Sequence, residues 1–179
     1  MISERKHITL QFKVVIVGPQ NSGKSHFISR LKGEDQYNYI QTIGVDFSRY
    51  TQQLIYNNTL YTSNFILWDT GGSIQFQEIN KAFYRGSTAV IIIIDINDWN
   101  VLQIIEYIQD IKQYIADTQQ ITLIANKTDL DQFFNIDDLI SLVQEENIQF
   151  QMCSALLNKG VIESITKLNE YIIRIQQQQ

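Results

Sequence analysis

The feature that most constrains this chain is the segment Gly18-Pro19-Gln20-Asn21-Ser22-Gly23-Lys24-Ser25, which has the pattern G-x-x-x-x-G-K-S. The apolar run before it, residues 12–17, predicts a buried strand, and the residues after it, 26–32, can form a helix. Between a strand and a helix, the backbone N–H groups of such a loop cradle a polyphosphate. In that arrangement Lys24 reaches the outer phosphates and the Ser25 hydroxyl ligates Mg²⁺. The sequence therefore predicts a phosphate-binding loop.

The composition indicates one ordinary globular domain. The chain has 179 residues, of which 44% are hydrophobic and 18% charged, enough for a single covered core. Its formal net charge of −5 argues against a nucleic-acid partner, because such partners require basic surface. The one cysteine, Cys153, excludes an internal disulfide framework and indicates a reducing compartment. The longest apolar run, 89–94, is too short to span a bilayer and no secretory pattern precedes it, so we expect a cytoplasmic protein.

Apolar strand-like runs alternate with segments of helical periodicity along the whole chain, which predicts an α/β fold with a largely parallel sheet. The pair Asn57-Asn58 tolerates positive φ and predicts an antiparallel hairpin between the second and third strands. One helix, with a cap at Asn135 or Asp137, is expected over 136–146. The predicted strands are 12–17, 44–55, 60–68, 89–95, 121–125 and 148–152. The other predicted helices are 24–33, a last one with an apolar stripe from Val161 to Ile175, and 99–116, whose expected apolar stripe is Leu102, Ile105, Ile108, Ile111 and Ile115.

A carboxylate follows the third predicted strand, in the segment Trp68-Asp69-Thr70-Gly71-Gly72. In a phosphate-loop protein an Asp in this place anchors a Mg²⁺-bound water. The glycine after it lets a backbone N–H group meet the γ-phosphate. Asp-x-x-Gly alone is weak evidence, but its position after the phosphate loop and a hairpin makes it strong.

The segment Asn126-Lys127-Thr128-Asp129 follows the 121–125 strand and predicts the base that is bound. Guanine offers N1–H and N2–H₂ donors, and a carboxylate such as that of Asp129 accepts both. Adenine has neither donor and would leave the carboxylate unpaired, which favours guanine by about 1.5–3 kcal/mol for each hydrogen bond. The Lys127 stem would lie along the base, and Asn126 would tie the parts of the site together. The segment Cys153-Ser154-Ala155 lies where a backbone group can donate to the guanine oxygen.

With these motifs, nearly the whole chain resembles the Ras superfamily of small GTPases, and most closely its Rab family. The segment Thr42-Ile43-Gly44-Val45-Asp46-Phe47 is similar to the Rab switch I signature, and residues 83–87 are similar to the close of switch II. The Gly71-Gly72 doublet is more typical of the Arf branch. The resemblance implies a P-loop GTPase domain over 12–175, with a mostly parallel six-stranded sheet, one antiparallel hairpin strand and helices on both faces. Residues 1–11 would be an N-terminal extension and 176–179 a polar tail.

The resemblance also implies GTP or GDP and Mg²⁺ as ligands, a role in vesicle transport, an effector protein and an exchange factor. Tyr37 would lie edge-on to the guanine and Tyr39 would close over the phosphates. Phe47, Trp68 and Phe83 would form an exposed effector patch, with simple core packing as the alternative for Trp68 and Phe83. The expected metal-binding residues are Ser25, Thr42 and Asp69, and the nucleotide-binding residues are Gly18, Asn21, Ser22, Gly23, Lys24, Ser25, His26, Tyr37, Tyr39, Thr42, Gly72, Asn126, Lys127, Asp129, Ser154, Ala155 and Leu156.

The chain departs from this family at its hydrolytic residue. Ser73 follows Gly72 where the family has the glutamine that orients the attacking water, and a serine is too short for that task. Gln20 lies where the family commonly has glycine or serine, and it would crowd the space of the water and of an arginine finger. Gln75 or Gln77 could substitute, but neither has the right offset. No residue is therefore assigned as catalytic, and we expect binding to be retained and hydrolysis to be impaired.

A second departure concerns lipid attachment, since no cysteine lies near the end of the sequence and a direct membrane anchor is not expected. Three interpretations fit these observations: a GTP-dependent switch or scaffold with weak hydrolysis, a GTPase that cycles with a partner supplying catalytic groups, and a structural subunit that holds nucleotide permanently. The first is favoured.

Overall fold

A computed structural model describes residues 6–35, 40–73, 80–116, 120–130 and 136–178. The strands are β1 (His7–Val17), β2 (Val45–Tyr56), β3 (Thr59–Thr70), β4 (Ala89–Asp95), β5 (Gln120–Asn126) and β6 (Gln149–Met152). The helices are α1 (Lys24–Leu31), α2 (Val101–Lys112), α3 (Asp137–Glu145) and α4 (Val161–Gln176), and residues 80–84 are also helical. Among the described helices, none combines the length and apolarity needed to cross a membrane.

The six strands form one sheet in the order β2-β3-β1-β4-β5-β6. Only β2 and β3 pair antiparallel, and the turn between them places Asn57 and Asn58 at φ 46° and 58°. The predicted α/β architecture, with a mostly parallel sheet and one antiparallel hairpin, is confirmed.

Helices cover both faces of the sheet. Along β1, Val14 and Ile16 belong to one buried cluster, which α1 and α4 cover. Val15 and Val17 belong to the other, which α2 and α3 cover. This alternation follows from the two-residue period of a strand, and it explains why β1 is apolar on both sides.

The first strand begins at His7 instead of residue 12. Residues 7–11 alternate between exposed and half-buried side chains, and they pair in parallel with Leu60–Asn64 of β3. A search for continuous apolar runs misses such a half-buried segment. Residues 7–11 therefore belong to the sheet and not to an N-terminal extension.

Two details of the predicted helices are wrong. In α2 the buried face contains Ile104, Tyr107, Ile108 and Ile111, whereas Leu102 at the start of the expected stripe is 66% exposed. The helix begins after Asn100, whose side chain accepts hydrogen bonds from Leu102 N and Gln103 N. The residue before α3 is Ile136, which makes no side-chain cap, and Asp137 is the first helical residue; Asn135 lies outside the described residues.

The carboxyl ends of β1, β4, β5 and β6 meet at one edge of the sheet because these strands are parallel. β3 is parallel to β1 and ends at the same edge. Loops at such an edge form the usual binding crevice of an open α/β sheet.

Candidate functional site

The loop between β1 and α1 is shaped by two glycines that no other residue could replace without a shift. Gly18 has φ 139°, and a Cβ atom there would overlap the carbonyl oxygen of Ile93 in β4. Gly23 has φ 94°, and a Cβ atom there would overlap the side-chain amide of Asn126. The loop therefore passes close to β4 and β5, and the first residues of α1 face the crevice.

Lys24 is 6% exposed, and its Nζ donates to the carbonyl oxygens of Gly18 at 2.9 Å and Pro19 at 2.8 Å. Burial lowers the pKa of Lys24 to about 8, against the opposing attraction of Asp69. The ammonium is thus held in place by its own loop, in surroundings that disfavour its charge. An anion beside it would relieve that cost, which is the electrostatic property that a phosphate site requires.

The three predicted metal ligands converge. Ser25 Oγ lies 3.0 Å from Thr42 Oγ1, which lies 3.3 Å from Asp69 Oδ2. Asp69 is 5% exposed, and its Oδ1 atom is buried with no hydrogen-bond partner among the described residues. Burial raises the pKa of Asp69, whereas hydrogen bonds from Ser25 and Thr42 and the charge of Lys24 lower it. Two hydroxyls and an under-coordinated carboxylate form an oxygen donor set that fits Mg²⁺.

A cavity of about 310 Å³ is lined by Lys24, Ser25 and Thr42. Its walls are the phosphate loop, residues 40–42, Thr70, Gly72 and Lys127. A Cβ atom on Gly72 would lie 2.5 Å from Lys24 Nζ and 2.7 Å from Gln20 N, so the backbone of residue 72 rests directly against the phosphate loop. Asn21 and His26 also line the cavity, and Asn21 has a positive φ of 64°.

Asn126 joins the phosphate loop to the loop after β6. Its Nδ2 donates to the carbonyl oxygen of Ser22 at 2.9 Å, and its Oδ1 accepts from Ala155 N at 3.0 Å. The Cys153 thiol also donates to this oxygen at 3.4 Å, and burial raises the pKa of that thiol to about 12. Since Asn126 is 1% exposed, one amide side chain fixes the spacing between two predicted parts of the site.

The other residues of the base motif are oriented by side chains from different elements. Lys127 Nζ lies 2.8 Å from Asp95 Oδ2, at the end of β4. Burial raises the pKa of Asp95, but the hydrogen bond from Lys127 and those from Asn97 more than offset this, so the net shift is downward. Asp129 Oδ1 accepts from Ser154 Oγ at 2.5 Å, which directs the carboxylate from the side of the β6 loop.

Arg30 is a structural residue of this site that sequence reasoning missed. Its Nε donates to the Ala155 carbonyl oxygen at 2.9 Å, and one terminal nitrogen donates to that of Leu156 at 3.2 Å. The other terminal nitrogen donates to the carbonyl oxygens of Glu34 and Asp35. One guanidinium therefore joins α1, the loop after α1 and the loop after β6.

Asp95 was also missed, although a carboxylate at the end of an apolar strand is a signal that could have revealed it.

Some of the predicted site residues are not described by the structure, and one has a side chain that points to solvent. Tyr37 and Tyr39 lie outside the described residues, as do Gln75 and Gln77. The Leu156 side chain is 58% exposed, and only its carbonyl oxygen takes part in the contacts described above.

The three aromatic residues of the predicted patch contact one another. The ring centroids of Phe47 and Trp68 are 4.6 Å apart and those of Trp68 and Phe83 are 5.3 Å apart. Phe47 is 55% exposed, whereas Trp68 and Phe83 are half-buried and pack against the core. Lys13 lies over the Trp68 ring at 4.1 Å and donates to the Arg85 carbonyl oxygen. The cluster thus combines core packing with an exposed aromatic edge.

Comparison with known proteins shows the family to which this chain is similar. The model of the Ras family matches residues 13–174. GTP-binding protein YPTM1 of Zea mays is 31% identical over 166 residues, which cover 90% of this chain and 77% of that protein. Ras-related protein RabC of Dictyostelium discoideum is 30% identical over 85% of this chain and 79% of its own, and Ras-related protein Rab-15 of Homo sapiens is 27% identical over 94% and 80%.

The sheet, the phosphate loop and the base motif together define a P-loop GTPase domain. The chain belongs to the Ras family, as a small GTP-binding protein close to the Rab members of that family.

Proposed function

We propose that this chain is a guanine-nucleotide switch or scaffold in which GTP is bound firmly and hydrolysed slowly or not at all. The proposal that GTP is bound rests on Asn126, whose two hydrogen bonds hold the phosphate loop and the loop after β6 at a fixed spacing. Ser25, Thr42 and Asp69 would hold Mg²⁺. When bound, the cation supplies positive charge that neutralises the phosphate oxygens.

The proposed weakness of hydrolysis rests on Ser73 and Gln20. Ser73 directly follows Gly72 at the cavity, and its buried Oγ atom has no hydrogen-bond partner among the described residues. A hydroxymethyl group cannot both accept from an attacking water and reach the γ-phosphate, as a longer carboxamide does. Gln20 lines the same cavity, beside Gly72, and so occupies space next to the reacting phosphate.

A single-turnover assay tests this proposal. Protein loaded with GTP and Mg²⁺ is incubated at 25 °C, and the GDP formed is measured by chromatography. We expect a rate constant below the order of 10⁻⁴ s⁻¹ that is typical of unassisted small GTPases. A rate at or above that value would contradict the proposal and favour an active GTPase. Failure of bound nucleotide to exchange over hours, even with EDTA, would favour a structural subunit that holds nucleotide permanently.

We further propose the cluster of Phe47, Trp68 and Phe83 as the surface that an effector protein contacts. The Phe47 ring is 55% exposed and contacts Trp68, which contacts Phe83, so three aromatic rings form one continuous cluster with an exposed edge. Exposed apolar clusters of this kind are features that protein partners bind. Ile55 provides a matched control, since it lies on the same strand and is also 55% exposed. The Phe47→Ala variant should no longer bind proteins that bind only the GTP-loaded chain, whereas the Ile55→Ala variant should still bind them. Equal retention by both variants would refute this assignment.

A further inference from the structure

Asn80, which no sequence motif singled out, is buried against Gly71, the residue that precedes the cavity-lining Gly72. It opens the helical segment 80–84, is 4% exposed, and its Nδ2 donates to the Gly71 carbonyl oxygen at 3.1 Å. The partner fixes the orientation of the amide, because the reversed amide would bring two acceptor oxygens together. Among the described contacts of this side chain, the one hydrogen bond is to the Gly71 carbonyl oxygen, and it fixes the direction of that carbonyl group.

The held carbonyl belongs to the same peptide unit as the Gly72 N–H. That unit is planar, and the described residues include no cis peptide bond, so the C=O and N–H bonds point in opposite directions. When the Gly71 oxygen is turned toward Asn80, the Gly72 N–H is turned away from it. The next backbone atom, Gly72 Cα, faces Lys24 Nζ and the Gln20 backbone nitrogen, because these are the atoms that an added Cβ would meet first.

The preceding peptide is fixed as well. Gly71 N donates to the Gly44 carbonyl oxygen at 2.7 Å, immediately before β2 and two residues after the metal-binding candidate Thr42. Both peptide units of Gly71 are therefore held, one by the backbone of residue 44 and one by the Asn80 side chain. With the first held by backbone alone, Asn80 is the side chain that sets the direction of the second.

We propose that Asn80 is a positioning residue which aims the Gly72 N–H at the γ-phosphate and thereby sets the preference for a nucleoside triphosphate over a diphosphate. This inference rests on the proposed function, since it requires a guanine nucleotide in the cavity. A hydrogen bond to a charged phosphate depends on alignment, so loss of the Asn80 hydrogen bond should weaken triphosphate binding. Diphosphate binding should be nearly unaffected, because GDP lacks the group that the Gly72 N–H would meet.

The first measurement compares dissociation constants for GDP and for a non-hydrolysable GTP analogue, both with Mg²⁺. Asn80→Leu keeps a similar volume without a donor or a charge, and Asn80→Ala is the second variant. We expect the affinity for the GTP analogue to fall about tenfold, with GDP affinity within about twofold of wild type. The matched control is Asn169→Ala, which removes another buried amide, bonded to Ser63 and Gln52 far from the cavity. It should lower thermal stability and leave the ratio of the two affinities unchanged.

The second measurement reports the Gly72 N–H itself. Gly71-Gly72 is the only pair of consecutive glycines in the chain, so glycine labelled with ¹³C and ¹⁵N gives a single amide signal in a carbonyl-to-amide correlation spectrum. In the wild type and in Asn169→Ala, this signal should move downfield when the GTP analogue replaces GDP. In Asn80→Leu the movement should fall by more than half.

The inference would be overturned by a folded Asn80→Leu protein that keeps the wild-type ratio of the two affinities and in which the Gly72 signal moves downfield as far as it does in the wild type. The failure of the proposed function has a different signature, because the wild type itself would then bind neither guanine nucleotide. If Asn80→Leu does not fold, Asn80→Ala decides the matter by the same two readouts. If neither folds, Asn80 acts as a general structural residue and the positioning role is rejected.

Discussion

Replacing Lys24 by methionine is expected to stabilise the nucleotide-free protein while abolishing its nucleotide binding. Lys24 is 6% exposed, and burial lowers its pKa from 10.5 to about 8. A shift of this size corresponds to about 3 kcal/mol by which the folded chain disfavours the charged ammonium at neutral pH. Methionine has a similar length and no charge, so the variant avoids this cost.

The expected gain is smaller than the whole shift, because the carbonyl oxygens of Gly18 and Pro19 lose a donor. These oxygens can find water at the open cavity, and we expect a net gain in the free energy of unfolding of about 1–3 kcal/mol. For a chain of this length, that gain raises Tm by about 2–10 °C. The measurement is thermal unfolding followed by circular dichroism, after removal of nucleotide with EDTA.

The pH dependence gives the sharper test. Between about pH 8 and 10.5 the unfolded chain still binds the Lys24 proton and the folded chain has released it, so the stability of the wild type rises with pH relative to the variant. The advantage of Lys24→Met should therefore be full at pH 7 and shrink toward pH 10. Lys127→Met is the matched control: it should lower Tm, because it leaves Asp95 without the ammonium 2.8 Å away. A Lys24→Met protein that is less stable than wild type, or whose stability advantage does not change with pH, would show that the buried Lys24 ammonium does not destabilise the nucleotide-free fold.

Three further predictions concern the site. Asp129→Asn removes the acceptor shared by two guanine donors and should weaken GTP binding by at least about tenfold, measured by competition against labelled GDP; unchanged discrimination against ATP would contradict the base assignment. In the single-turnover assay, Ser73→Gln should recover part of the hydrolysis rate. The double variant Gln20→Gly with Ser73→Gln should recover more than the sum of the two single variants. Strict additivity of the two effects would show that the two residues do not contact the same water. Arg30→Leu removes four hydrogen bonds to loop carbonyl oxygens and should speed GDP release about tenfold in a stopped-flow assay. An unchanged release rate would show that Arg30 does not hold these loops around the nucleotide.

Local patterns in the sequence were sufficient to predict most of the fold. The apolar run at 89–95 coincides with β4, and Asn57-Asn58 forms the turn of the hairpin, because both features depend on neighbouring residues alone. The early part of β1 escaped notice because residues 7–11 are only half-buried and gain their strand structure from pairing with β3. The buried face of α2 was misplaced because apolar residues lie on two of its faces, and only packing decides between them.

The candidate site divides in the same way. The phosphate loop and the base motif are continuous segments, and the sequence alone indicated their residues. The side chains that hold them, Arg30, Asp95 and Asn80, act on residues that are distant in the sequence or on a backbone oxygen, as Arg30 does on Ala155 across 125 positions. Such contacts depend on how the chain folds back on itself, and no local pattern reports them.

We propose that the phosphate loop, the Ser25–Thr42–Asp69 cluster and the base motif together bind one guanine nucleotide. The most direct measurement is competition for the nucleotide-free protein between fluorescent GDP and unlabelled GTP or ATP, with and without Mg²⁺. We expect fluorescent GDP to be displaced by an equal concentration of GTP and not by the same concentration of ATP, and to be released much faster when EDTA removes Mg²⁺. Displacement by ATP as effective as that by GTP would contradict this proposal.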